Sequence, residues 1–191
     1  MVKLNEKVDE LKKKLILDTA SEYFKTLGYE KTQIDKIVKD LSVGVGTIYG
    51  YFKSKEGLFM AWLTYVIENA SAEMQEFCAD IINPIEKLKM IVKYKMKYFE
   101  KNKLTIKGYM ENNELFLRGI SRRKEHPMRK VYGYCAEIIK QLKPMDDNMA
   151  YLFATTFDAI INSYIECSFE EGNILEKQDE IVGRFLRFVG V

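Results

Sequence analysis

Thr47, Tyr49 and Tyr51 place three hydroxyls on alternate residues, and Lys53 and Lys55 continue the spacing with two ammonium groups. Hydroxyls projecting from one short helix can donate to base edges or phosphate oxygens, and lysines just beyond it suit phosphate neutralisation. Between Lys31 and Lys55 the chain carries five Lys and two Asp, a local excess of +3, against a net charge of +2 for all 191 residues. A basic surface confined to one segment is enough for phosphate contacts. Thr32 and Gln33 stand at the expected start of the preceding helix, where the helix dipole also favours phosphate.

Catalysis has no comparable set. The single histidine, His126, sits beside Pro127 at an expected helix start and reads as a surface residue. Cys78, Cys135 and Cys167 are far apart, with no C-x-x-C and no histidine nearby, so neither zinc nor a disulfide framework is expected. No nucleophile–base pair, phosphate-binding loop or dinucleotide fingerprint is found, so no catalytic residue, metal or cofactor is assigned and an enzyme is not expected.

A third set is aromatic. Trp62, Tyr94, Tyr98, Tyr109, Phe116, Tyr134 and Phe157 can line a pocket, although rings at helical spacing also serve as plain core. Asp158, Asn162 and Glu166 recur every four residues on an otherwise apolar helix. Solvent, a subunit seam and a ligand all remain open for them; facing a ligand, they suit a cationic or hydrogen-bonding lipophile. Lys89, Lys93, Lys97 and Lys101 form a ladder that reads as a solvated face. Arg118, Arg122, Arg123, Lys124, Arg129 and Lys130 form a second basic cluster.

Only helices are expected to hold these residues, because apolar positions recur at helical spacing and no convincing strand is found. A first helix carries Val8, Leu11, Leu15, Ala20, Phe24 and Leu27 as one stripe and stops at Gly28. Thr32 is expected to cap a second helix, with Ile34, Ile37, Val38 and Leu41 inward. Ser42-Val43-Gly44 turns into a third helix over about 45–52, with Ile48 and Phe52 inward. Ser54 caps a fourth helix with a stripe of Leu58, Trp62, Val66, Met74 and Phe77. Asn83-Pro84-x-Glu86 starts a fifth, with Ile85, Leu88, Val92, Met96 and Phe99 on one side. The pattern over 104–124 is interrupted by Gly108 and Gly119. Further helices are expected over about 127–142, 147–169 and 175–189. The helix over 147–169 is apolar most of the way round and so must be buried most of the way round.

The string T-I-Y-G-Y-F-K-S-K-E-G-L from Thr47 to Leu58, at its distance from Thr32, resembles the signature of the TetR family of bacterial transcriptional regulators. Matching positions are Thr32, Gln33, Ile37, Val43, Gly46, Thr47, Tyr49, Phe52, Lys55 and Leu58. Departures are Ser42 at the family's turn glycine, Gly44 at its cap serine, Val38 at a small alanine, and Val45 and Gly50 at positions often filled by polar or larger contact residues. The last two reduce the hydrogen bonds available to bases and favour contact with thymine methyls or readout of DNA shape. The resemblance implies an all-α protein: a three-helix helix-turn-helix DNA-binding domain over residues 10–70 (motif 33–52), then a helical ligand-binding and dimerisation domain over 71–191. It implies DNA contacts from Thr32, Gln33, Val45, Gly46, Thr47, Tyr49, Gly50, Tyr51, Lys53 and Lys55.

The partners implied are a palindromic double-stranded operator, a second copy held through helices about 147–169 and 175–189, and a lipophilic small-molecule effector bound near the aromatic set. Ala150, Ala154, Ala159 and Ser163 would let the partner helix approach closely. The mode implied is repression relieved by the effector, with the fourth helix as the lever between domains. The N-terminus has no apolar signal region and no run is long enough to span a membrane, so a cytoplasmic protein is expected. Two other readings remain: a regulator of the same fold without a small-molecule effector, and a helical adaptor that binds only proteins.

Overall fold

The computed structural model describes residues 2–101, 127–171 and 176–191, and every regular element among them is a helix. The chain divides into two compact units; the first contains residues up to Ile67 and the second takes in 68–101 and 128–191.

In the first unit, α1 (Val2–Lys31) is broken at Gly28, whose φ of 74° and ψ of 176° lie outside helical space. Glycine adopts such angles without a Cβ penalty, so the helix stops where the sequence predicts. Its buried face is Ile16, Leu17, Ala20 and Phe24. The expected stripe is corrected at its N-terminal end: Val8, Leu11 and Leu15 are 40%, 67% and 59% exposed. The register of core contact begins only at Ile16, because the turns before it extend past most of the unit's core.

Helix α2 (Ile34–Leu41) buries Ile34 and Ile37, with Val38 and Leu41 half-buried against the same core. It ends in a left-handed Ser42. The N–H of Ser42 bonds the carbonyl of Lys39 at 3.2 Å and that of Val43 bonds Val38 at 3.1 Å. This 6→1 and 5→2 pair satisfies the last carbonyls of the helix. Helix α3 (Val45–Phe52) follows immediately and buries Ile48 and Phe52, as its apolar spacing predicts. After Phe52 the chain turns sharply: the Ser54 N–H reaches the Phe52 carbonyl at 2.8 Å, over Lys53 at φ 66°. Gly57 leaves room for that carbonyl, which would lie 1.9 Å from any added Cβ. Ser54 Oγ accepts from the Gly57 N–H at 2.9 Å and caps α4 (Lys55–Phe77), as expected.

The core of this unit is aromatic. Phe24 meets Phe59 edge-on with centroids 4.8 Å apart, and Trp62 lies 5.2 Å from Phe24 and 5.3 Å from Phe59. Full burial of a ring of this size contributes about 1.5–3 kcal/mol. The cluster joins α1 to α4, while Ile37 and Ile48 tie α2 and α3 to the same core.

In the second unit, α5 (84–101) begins at Asn83, whose Oδ1 accepts from the N–H groups of Ile85 and Glu86 at 2.9 and 3.1 Å. Leu88, Ile91, Val92, Met96 and Phe99 are its buried face. Helix α6 (Arg129–Lys140) packs on α7 (Asp147–Glu171), which is capped by Asp146 Oδ1 on the Met149 N–H at 2.9 Å. Helix α8 (Gln178–Val189) ends at a left-handed Gly190. Its Phe185 packs against Phe157 of α7 with centroids 4.7 Å apart.

Candidate nucleic-acid interface

Ile48 and Phe52 fix which side of α3 is outward. Residues advance by roughly 100° along a helix, so Gly50 lies opposite that buried pair, with Gly46 and Thr47 beside it. Val45, Gly46, Tyr49 and Gly50 are exposed, and Thr47 is half-exposed. An added Cβ at Gly46 or Gly50 would meet nothing within 4 Å. The outer ridge of α3 is therefore bare backbone flanked by one threonine and one tyrosine. Tyr49 is 43% exposed.

Four expected contact residues sit differently from their sequence reading. Thr32 is 2% exposed, and its hydroxyl donates to the Gly28 carbonyl at 2.6 Å. It closes the broken end of α1 rather than capping α2, whose N-cap is the exposed Gln33 without a side-chain bond. Tyr51 does not project freely. Its hydroxyl donates to Asp9 Oδ1 at 2.8 Å, and Lys13 Nζ stands 5.7 Å from its ring centroid. The carboxylate acceptor pushes the Tyr51 phenol above its ordinary range, so it stays protonated. Lys55 donates to the Glu30 carbonyl at 3.0 Å, with its ammonium 4.6 Å from the Tyr29 ring centroid. Lys53 folds back onto the Gly50 carbonyl at 3.0 Å and closes the end of α3. Both lysines thus hold ends of helices, where a cation complements the exposed carbonyls.

The aromatic set is divided between the units. Trp62 belongs to the core of the first, at 2% exposure, which corrects its assignment to a ligand. Tyr109 and Phe116 lie outside the described residues, as do Arg118, Arg122, Arg123, Lys124 and His126. Tyr94 and Tyr98 are half-buried in the second unit, stacked 6.1 Å apart, with Phe77 5.9 Å from Tyr94. Tyr94 donates to Glu73 at 3.0 Å; burial first, and then that carboxylate, raise its phenol. Tyr134 is half-buried, and Phe157 is core at 1%.

Asp158 and Asn162 do come together, with a partner the sequence reading missed. Lys95 of α5 pairs with Asp158 and bonds Asn162 Oδ1 at 3.1 Å. Asn162 donates to Asp158 Oδ2 at 3.0 Å, and Tyr132 donates to the same oxygen at 3.4 Å. Lys95 is 21% and Asp158 14% exposed. The cluster is a neutralised pair, which removes the reason to expect a cationic lipophile. Glu166 is exposed. In the lysine ladder, Lys89 bridges Glu86 and Asp179 at 2.9 and 3.0 Å, at the edge of a surface recess of about 310 Å³ also lined by Met90 and Lys93.

Residues 16–61 match the family described as bacterial regulatory proteins, tetR family. Those residues form a TetR-family DNA-binding domain. The chain is 27% identical over 157 residues to the HTH-type transcriptional regulator YhgD of Bacillus subtilis, covering 78% of its own length and 82% of that protein. It is 32% identical over 77 residues to a fatty acid metabolism regulator protein of the same organism, 40% of each chain. Among solved structures it superposes on the transcriptional regulator FadR from Bacillus subtilis in complex with stearoyl-CoA. The TM-score is 0.56 and the identity 17%, over 90% of this chain and 96% of that one. The chain is a transcriptional regulator whose helix-turn-helix is α2 and α3. No helix among the described residues is long and apolar enough to cross a membrane.

Proposed function

We propose that this TetR-family regulator binds a palindromic operator as a homodimer and that a long-chain acyl compound releases it. The observation that carries the DNA reading is α3 itself: eight residues, apolar on one side, bare on the other, following a tight turn from α2. A helix of about 12 Å with that profile fits a major groove with its outer ridge against the base edges. Gln33, Val45, Gly46, Thr47, Tyr49 and Gly50 are the proposed contacts, with Lys53 and Lys55 at the phosphates through whatever charge their helix-end bonds leave exposed.

The dimer is supported by the apolar surface that α7 and α8 leave open. Leu152 is 55% and Phe188 59% exposed, Met149 is 41% exposed, and Phe153 meets Phe188 edge-on at 5.7 Å. Ala159 and Ser163 are exposed on α7, whereas Ala150 and Ala154 are buried within the chain and serve its own packing. The effector class is supported by the two relatives named for fatty acid metabolism and stearoyl-CoA. Tyr94, Tyr98, Tyr134, Phe157, Asp158 and Asn162 are its proposed surroundings, and α4, which runs through the division between the units, is the proposed route to the DNA domain.

Selection of duplexes from a random library by the wild-type protein tests the DNA reading; a palindrome with half-sites about one helical turn apart is expected. Recovery of no shared sequence would defeat it. Titration of stearoyl-CoA against the protein–DNA complex then tests release, with coenzyme A and free stearate as comparisons. Unchanged operator affinity in all three leaves the reading of a DNA-binding regulator without an acyl effector.

A further inference from the structure

The first turns of α1 lie outside the matched family segment, which begins at Ile16. They are nevertheless fastened to the recognition helix. Asp9 accepts the Tyr51 hydroxyl at 2.8 Å, and Lys13 lies 5.7 Å from the centroid of the same ring, in the last turn of α3. Residues 9–13 of α1 therefore pass beside Tyr51, at the C-terminal end of α3. A helix with its side chains is about 10–12 Å wide, and the major groove of B-DNA is about 12 Å wide. With α3 in the groove no width remains for a second helix. A helix bonded to its last turn must lie over the strand that borders the groove.

The residues at that level are basic. Lys13 turns toward Tyr51, so its neighbours Lys12 and Lys14, each roughly 100° away, splay to either side of it. Both are exposed, and neither forms an ion pair among the described residues. Of the acidic residues nearby, Asp9 is committed to Tyr51, while Glu10 and Asp18 stand one turn before and one turn after Lys14, exposed and without an ion pair to it among the described residues. We infer that Lys12 and Lys14, placed by the Asp9–Tyr51 and Lys13–Tyr51 contacts, form a second DNA contact that neutralises phosphates of the bordering strand. This inference rests on the proposed placement of α3 in the major groove. It adds a contact that carries affinity without base information.

The test uses the full-length protein and a duplex of about 30 base pairs selected by the wild type, with a scrambled duplex of the same composition. Dissociation constants are measured over a sodium chloride series for wild type, Lys12→Ala/Lys14→Ala and Lys12→Arg/Lys14→Arg. Each phosphate contact contributes about 0.9 to the slope of log K against log salt. The alanine pair should lower the slope by about one to two units and weaken both duplexes about tenfold at 0.1 M salt, and the arginine pair should restore both. Circular dichroism and melting temperature should be unchanged, since neither side chain touches the core. A slope equal to wild type, or a loss confined to the selected duplex, overturns the inference and leaves the regulator reading intact. A wild type that binds neither duplex defeats that reading, and the inference falls with it.

Discussion

Ser42 occupies the left-handed region at φ 53° and ψ 39°, where a Cβ crowds the following carbonyl. Ser42→Gly keeps the two hydrogen bonds that end α2 and removes that crowding, so the protein should gain about 0.5–1 kcal/mol in urea denaturation. Gly50 presents the opposite case. It sits inside α3, where glycine costs about 1 kcal/mol relative to alanine, and a Cβ there would meet nothing within 4 Å of its own chain. Packing gives no reason for it, whereas close approach to DNA does. Gly50→Ala should therefore raise the stability of the free protein by up to about 1 kcal/mol and weaken operator binding. Denaturation and binding measured on the same preparation decide; greater stability with unchanged affinity would return Gly50 to a tolerated surface position.

Helices α5 and α7 are joined by a charge pair that is mostly out of water. With Asp158 14% and Lys95 21% exposed, removing the carboxylate leaves a largely buried ammonium without its counter-charge, held only by Asn162 Oδ1. Asp158→Ala should cost about 2–4 kcal/mol, while Lys95→Met/Asp158→Leu should cost far less, because a well-packed apolar pair incurs no desolvation. Equal losses in the two variants would mean that the pair itself, and not its unpaired remnant, sets the stability. Between α7 and α8 the connection is Glu180. Hydrogen bonds from Tyr164, Lys177 and Arg184 hold its carboxyl down to about 2, against an ordinary 4.5. A depressed folded value means that its stabilisation is fully present above pH 4.5 and is lost as pH falls toward 2. The gap in melting temperature between wild type and Glu180→Gln should be widest above pH 4.5 and close on acidification. A gap independent of pH would show that the ionised form is not favoured.

For the whole molecule, the two apolar sides of α7 and α8 have separate roles in the proposed dimer. Ile161 and Phe185 are buried within one chain at 1% and 0%, so an aspartate at either should unfold it. Leu152 and Phe188 are exposed, so Leu152→Asp/Phe188→Asp should keep the helical signal and yield monomers in sedimentation at micromolar concentration. A double variant that remains dimeric would place the subunit seam elsewhere. The proposed switch carries its own arithmetic. A hundredfold loss of operator affinity on adding effector requires the effector to bind the DNA-incompetent state about 2.7 kcal/mol more tightly. Trp62, packed on Phe24 and Phe59, reports the core of the DNA-binding unit and not the effector's surroundings. Its emission should be insensitive to acrylamide.

Local chemistry made much of this protein legible from its residues. Gly28 and Ser42 end helices, Ser54, Asn83 and Asp146 start them, and the spacing of Ile34, Ile37, Ile48 and Phe52 sets which faces turn inward. These features depend on bonds between residues two to five apart, or on a helical period, and both are written in consecutive positions. Tertiary structure alone decided where reactive-looking side chains spend their hydrogen bonds. Thr32 turns inward because Gly28 leaves a carbonyl open beside it, and Tyr51 turns back because Asp9 lies 42 residues earlier on the passing helix. Lys55 closes the end of α1 across 25 residues, and Lys95 finds Asp158 across 63. No periodicity encodes such pairs, since they exist only once packing of the apolar faces has fixed the distance between helices.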